Sequence, residues 1–375
     1  MKQIAPSIAF AQAVGTNAED WGKLAIELGE KLARDLPGGT LGFLYATGEL
    51  AGQLEEILAV VKRISGIGDW TGSVGLGIVG DTEVFGQPAL AALALDLPKN
   101  AYRLVPNLTE PGETPADLEA WIADRRPALG VVHADPRLPN IADTLADLAE
   151  TSGAYLVGGL SSGDDGFAQI AGRVVDEGLS GVLIAGDVNV SVGLSQGCAA
   201  LGPVHRVTSA EENVIAEIDG RDALDLFRDA AGVRPGGDLR QAAMNTLIAF
   251  PTPGSDTNDY LVRHLTGIDP DNGLIAVGHT VEPGDRVFFV RRDEEAAAQD
   301  LARMLARTKS RLTKPKAGLY FSCLARGPNM FGPDSAERAL LRETLGDIPI
   351  AGMFCNGEIS NARLYGYTGV LALFG

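Results

Sequence analysis

The sequence predicts a mixed α/β fold: repeated β-α-β-β units forming twisted mixed sheets with helices on their outer faces, in two domains around a cleft. Three observations predict it. Short apolar runs at residues 41–46, 128–133 and 318–323 are each followed by a stretch with apolar residues at helical spacing (51–65, 140–151 and 335–345). Further strand-like runs follow each helix, so three related units of roughly 55 residues recur along the chain. The 47 glycines among 375 residues also exceed the ~7% average, which suits tight turns and close backbone approaches.

Taken in order, residues 7–14 read as a short strand and the stretch from about Asn17 as a helix. Trp21, Leu24, Ala25, Leu28 and Leu32 give that helix one buried face, and Pro37-Gly-Gly39 ends it. The first unit has strand 41–46, helix 51–65 (Leu54, Ile57, Leu58, Val61), a glycine segment (Gly72, Gly75, Gly77, Gly80) and strand 89–97. Residues 98–115 form a proline-bearing connection leading to helix 116–125. The second unit follows with strand 128–133, helix 140–151 and strands 155–160 and 178–185. Residues 204–290 break the pattern into hairpins, with a small helix at 223–230, a loop at 233–238 and a turn at Glu282-Pro-Gly-Asp285. Residues 286–290 with helix 293–310 read as the remnant of a fourth unit. The third unit closes the chain: strand 318–323, helix 335–345 with Ser335 as N-cap and Glu337 in its first turn, then strands 348–358 and 364–374. The domain boundary is expected near Thr208, giving domains 1–208 and 209–375.

Composition narrows the function. A hydrophobic content of 45% with 21% charged residues fits a globular protein. The net charge of -18 repels phosphate backbones and anionic membrane surfaces, and the basic stretch Lys309–Lys316 has no interleaved aromatics, so no nucleic-acid partner is expected. No apolar run approaches the length of a membrane span, and no membrane partner is expected. Three cysteines, at 198, 323 and 355, argue for a reducing, cytoplasmic setting over a disulfide framework.

The motifs for familiar chemistry are weak. Gly75-Leu-Gly77-Ile-Val-Gly80 matches a dinucleotide fingerprint, but the turn and strand pattern that follows supplies no helix N-terminus for a pyrophosphate. The four histidines (133, 205, 264, 279) lack metal-pair spacing, so no metal is expected. No GxSxG elbow is present, and Cys323 has no histidine in its unit; catalysis by Cys323 stays an alternative, and the protein is expected not to be an enzyme. What remains is a set of polar residues at equivalent ends of the units: Thr47 and Glu49, Asp135 and Arg137, Ser161 and Ser162, and Cys323 with Arg326. Gly357, Glu358 and Asn361 join them from the last hairpin. If these ends meet, the arginine suits a carboxylate and the acid an ammonium group, as in an amino-acid-like zwitterion. The alternative is a structural ion pair between Arg326 and Glu358.

Phe321-Ser-Cys323, Arg326, the Pro349-Ile-Ala-Gly352 turn, Gly357-Glu358-Ile359 and Tyr365 to Phe374 resemble the C-terminal FIST domain of bacterial sensory proteins. Ser195-Gln-Gly-Cys198, Gly202-Pro203, Glu217-Ile-Asp-Gly220, Tyr260-Leu-Val-Arg263 and Val281-Glu-Pro-Gly284 resemble that family in the same order, so the likeness runs from about Ser7 to Gly375. It departs at Val204-His205 and at Thr368-Gly369, where a serine is commoner. The resemblance implies a sensory protein that binds a small amino-acid-like or carboxylate ligand; no cofactor is expected, with haem as the possible exception. Family members are often joined to kinase, cyclase or chemoreceptor modules; this chain shows none before Gly375, so the expected partner is a separate kinase or cyclase. Some members bind haem and respond to nitric oxide, which makes a haem-bound gas sensor with His133 as proximal ligand the alternative.

Overall fold

The computed structural model describes residues 3–163, 166–234, 237–255, 259–332 and 336–375. The expected N-cap Ser335 lies outside them. The fold is mixed α/β, and the chain divides into two compact units: residues 1–195, 301–364 and 368–375 form the first, and residues 196–300 with 365–367 the second. The expected boundary near Thr208 therefore falls inside the second unit, because strands from residue 198 onward pair with Arg286–Arg292.

The first unit holds three six-stranded sheets of one strand order. In each, an initial strand runs beside a return strand, then a central strand, then a parallel partner reached through a helix. Leu41–Thr47 connects through Leu54–Ser65 to Asp69–Gly75, Pro127–Ala134 through Ile141–Ser152 to Tyr155–Leu160, and Ala317–Cys323 through Ala336–Leu345 to Ile350–Cys355. The return strands Ala89–Asp96, Leu179–Ala185 and Gly369–Phe374 pair antiparallel with the central ones. The helices bury leucines at i, i+3, i+4 spacing, such as Leu54, Ile57, Leu58 and Val61, against these sheets.

Between the parallel partner and the return strand each segment sends a short extra strand to a different sheet. Gly77–Val79 pairs with Ile350–Cys355, Gln169–Ala171 with Asp69–Gly75, and Glu358–Ser360 with Tyr155–Leu160. The exchange is cyclic, so every sheet is completed by a neighbour's strand. Asp69–Gly75, expected as part of a glycine segment, is a full strand, and its glycine explains the disguise. A Cβ on Gly72 would lie 1.8 Å from the Leu44 carbonyl oxygen, and Gly158 and Gly352 stand in the same relation to Val132 and Tyr320. Each of the three is also the register partner of the residue it would strike, so the parallel strands demand glycine there.

The second unit is built on a nine-stranded sheet with helix Ala223–Ala231, whose Phe227 packs edge-on to Phe289 at 5.8 Å. The strand Arg286–Arg292, expected to belong to a fourth repeated unit, is central to this sheet and pairs with Leu247–Pro251. Its alternation fits a hairpin sheet equally well, which is why the pattern misled.

Candidate functional site

The residues following the three sheet-crossing glycine contacts occupy equivalent places. Tyr45, His133 and Phe321 each come one residue after the register partners Leu44, Val132 and Tyr320, and their rings converge edge-on at 5.6, 5.8 and 5.9 Å. Two residues further along each strand, on the same face, stand Thr47, Asp135 and Cys323. The three ends expected to be equivalent are thus equivalent by register.

Their side chains do different things. Thr47 Oγ1 donates to the Gln87 carbonyl at 2.9 Å and accepts from Ala89 N–H, joining two strands. Asp135 is buried but takes a bidentate contact from its neighbour Arg137, at 3.0 Å from Nε and 2.6 Å from Nη2. Ser161 Oγ lies 2.6 Å from Ser73 Oγ, and Ser162 ties Leu76 N–H to the Phe354 carbonyl. Asn361 is exposed and left-handed at φ 57°, while Gly357 accepts from Leu160 N–H. Of these residues, Ser161 and Ser162 tie neighbouring sheets together.

Cys323, Arg326 and Glu358 form the remaining cluster, with Glu337, Thr368 and Cys355. Arg326 is fully buried just beyond strand Ala317–Cys323, its guanidinium 5.2 Å over the Phe331 ring. Its partner is Glu337, at 2.7 Å from both Nε and Nη2, and not Glu358 as the ion-pair alternative had it. Glu337, also fully buried, further accepts from Tyr320 Oη at 2.6 Å, Ser322 Oγ at 3.0 Å and Gly327 N–H at 3.1 Å. Nη1 of the guanidinium has no hydrogen-bond partner among the described residues.

Glu358 is buried without a cation of its own. Its Oε2 accepts from Thr368 Oγ1 at 2.8 Å and Thr368 N–H at 3.2 Å, while Oε1 has no hydrogen-bond partner among the described residues. Burial pushes its pKa up to about 8 against the pull of Thr368, Arg326 and the adjacent Cys323 thiol. At neutral pH the carboxyl is mostly neutral. Burial likewise pushes the Cys355 thiol well up and holds His133 near 3, so its imidazole is uncharged. His133 Nε2 lies 3.3 Å from Tyr45 Oη, and Nδ1 has no partner among the described residues.

The surroundings of His133 do not fit a haem as they stand, because the ring is fully buried between Tyr45 and Phe321 and turns no edge outward. Among the described residues no group of three or more histidine, cysteine or acidic side chains is placed to hold a metal ion. No described helix is long and apolar enough to cross a membrane. On the second unit, a cavity of about 520 Å³ is lined by Leu239, Arg240, Met244, His264 and Ile268, and there His264 Nε2 meets Tyr367 Oη at 2.7 Å.

Sequence reasoning read Glu337 only as a first-turn acid of its helix. The signal that could have found it is the spacing Ser322…Arg326…Glu337, a strand-end arginine with an acid opening the next helix. Thr368, read as a departure from the family pattern, keeps the hydroxyl that a serine would offer Glu358.

A FIST N domain matches residues 40–221 and a FIST C domain residues 223–361. An uncharacterized protein of Mycobacterium tuberculosis is 32% identical over 382 aligned residues, covering 96% of this chain and 98% of the relative. An uncharacterized Mycobacterium bovis protein is 35% identical over 216 residues, 54% of each chain. An F-box/LRR-repeat protein of Arabidopsis thaliana is 31% identical over 109 residues, 28% of this chain and 21% of that one. FIST domains are sensory, small-ligand-binding signalling domains. With both domain matches in order and a relative aligned nearly end to end, the chain belongs to the FIST family.

Proposed function

We propose that this protein is a cytoplasmic sensor, not an enzyme, whose first unit binds a small zwitterion or carboxylate at Arg326 and Glu358 and signals to a separate output protein such as a kinase or cyclase. The observation that carries this reading is a pair of valences left unfilled among the described residues, in one buried cluster: the Nη1 donor of Arg326 and the Oε1 acceptor of Glu358. Buried polar groups are ordinarily satisfied, and leaving one unpaired costs ~1–3 kcal/mol. A ligand carboxylate would take the arginine edge, and a ligand ammonium would take Glu358, which gives up its proton on binding. The three sheets, as copies of one internal repeat with exchanged strands, would pass a local shift at one sheet to the next, so that ligand biases one conformation of the unit.

The test is a thermal-shift panel of the twenty amino acids and small carboxylates on wild type and Glu358→Gln, with an absorption spectrum of the purified protein. At least one compound raises the melting temperature of wild type and loses that effect in the variant. A Soret band in protein as purified, moved by His133→Ala, would replace this reading with the haem-sensor alternative. No shift at millimolar concentration would overturn it.

A further inference from the structure

Two of the three cysteines, far apart in sequence, are register partners. Cys323 ends one central strand, Cys355 ends its parallel neighbour, and the two stand directly opposite each other. Opposed residues on adjacent strands face the same side, with backbones about 4.8 Å apart, inside the ~4.4–6.8 Å Cα range of disulfides. Neither is in a disulfide. Room is kept for the sulfur by Gly159 on the neighbouring sheet, where a Cβ would lie 2.2 Å from Cys355 Sγ.

The two thiols differ in setting. Cys323 is 8% exposed and Cys355 fully buried. Cys323 lies beside the Glu358 carboxyl and within electrostatic reach of the Arg326 guanidinium. Glu358 acts on both thiols, but burial pushes Cys355 well up and its Sγ donates to the Met353 carbonyl, whereas Cys323 is the more exposed sulfur and the one that feels the Arg326 cation, which favours its thiolate. Cys198 sits on a strand of the second unit and is not in a disulfide.

We infer that Cys323 and Cys355 form a dithiol oxidation site for a small peroxide, Cys323 being the attacking sulfur and Cys355 the resolving one. In the fraction of molecules where it carries no proton, Glu358 takes the Cys323 proton, and the thiolate attacks one peroxide oxygen. The S–O bond forms as the O–O bond breaks, and the departing hydroxide takes the proton back from Glu358 and leaves as water. The Cys355 thiol then attacks the Cys323 sulfur: the S–S bond forms, the S–O bond breaks, and a second water carries off the Cys355 proton and the sulfenic hydroxyl. Two thiols and one hydrogen peroxide thus become one disulfide and two waters, with two electrons passing from sulfur to oxygen. The disulfide joins strands next to Arg326 and Glu358, so it would alter the ligand groups of the proposed sensor site, but the oxidation chemistry does not depend on that site binding anything.

The experiment treats reduced full-length protein with hydrogen peroxide, alkylates remaining thiols, and maps the peptides by mass spectrometry. The expected result is a cross-linked pair of peptides containing Cys323 and Cys355, with Cys198 alkylated. In Cys355→Ala the expected product is a sulfenic acid on Cys323, trapped by a dimedone-type probe. Circular dichroism of each variant checks folding. Preferential oxidation of Cys198, or alkylation of Cys323 and Cys355 after peroxide doses that oxidise surface methionine, would overturn the assignment. Because the readout is a covalent mass, it stands or falls apart from ligand binding.

Discussion

Glu337 and Glu358 are two fully buried acids in one unit, and their surroundings teach opposite lessons. Glu337 accepts from Tyr320, Ser322, Gly327 and Arg326, so its charge is balanced and every lone pair is occupied. Glu358 has only Thr368 and a neighbouring thiol, and burial leaves it mostly protonated at neutral pH with a pKa of about 8. The first acid does structural work by fastening the start of helix Ala336–Leu345 to the end of strand Ala317–Cys323. The second is held short of partners among the described residues, which is what the ligand role proposed for it requires.

The largest expected effect comes from breaking the satisfied acid. Glu337→Ala leaves the Arg326 cation buried without its partner and should cost about 3–5 kcal/mol, read as a fall in the urea midpoint of unfolding. Tyr320→Phe removes one donor to the same charge and should cost about 1.5–3 kcal/mol in the same assay. Equal stability of either variant and wild type would mean that Glu337 is not the anchor described here.

Glu358 sharpens the contrast through pH. Its folded-state pKa lies above the ordinary 4.5, so the native state keeps a proton that the unfolded chain gives up. The resulting stability is fully present below pH 4.5 and is lost as pH rises toward 8, at ~1.4 kcal/mol per pH unit where the two states differ by a whole proton. Glu358→Gln should therefore match wild type near pH 5 and be the more stable of the two at pH 8, measured by melting temperature. His133, lowered to about 3, acts with the opposite sign between pH 3 and 6.5, because there the unfolded chain binds the extra proton; it is common to both proteins and cancels in the comparison. The smallest effect is expected for Thr368→Val, about 1 kcal/mol, with the Glu358 titration moved to higher pH because its strongest stabilising donor is gone.

How much of this was legible in the sequence depends on the distance over which the physics acts. The runs Leu41-Gly-Phe-Leu-Tyr45, Leu129-Gly-Val-Val-His133 and Ala317-Gly-Leu-Tyr-Phe321 share their spacing because each meets the same backbone crossing, so the strands and the helices after them could be read locally. The equivalence of Thr47, Asp135 and Cys323 followed from the same alignment. The parallel strand Asp69–Gly75 could not be read so directly, since the glycine that lets it approach Leu44 also erases its strand signal. The exchange of extra strands among sheets leaves no trace in local pattern, and neither does the register that sets Cys323 opposite Cys355. At the site, Arg326 and Glu358 stood out as charges at strand ends, but their relation did not: the partner of Arg326 is an acid eleven residues on, hidden by its ordinary role at a helix start. Thr47, Ser161 and Ser162 stand at the expected ends, where they bond to neighbouring strands.

The central claim is that Glu358 is a neutral acid that ionises when a ligand ammonium reaches it. The most direct measurement is a carbon NMR titration of side-chain-labelled glutamate, with the Glu358 resonance assigned by its loss in Glu358→Gln, run alone and with whichever amino acid shifts the melting temperature. The account predicts a midpoint near pH 8 in the free protein and one at least a unit lower with the amino acid present. A Glu358 midpoint near the ordinary 4.5 in the free protein, or one that does not move when the amino acid is added, would contradict it.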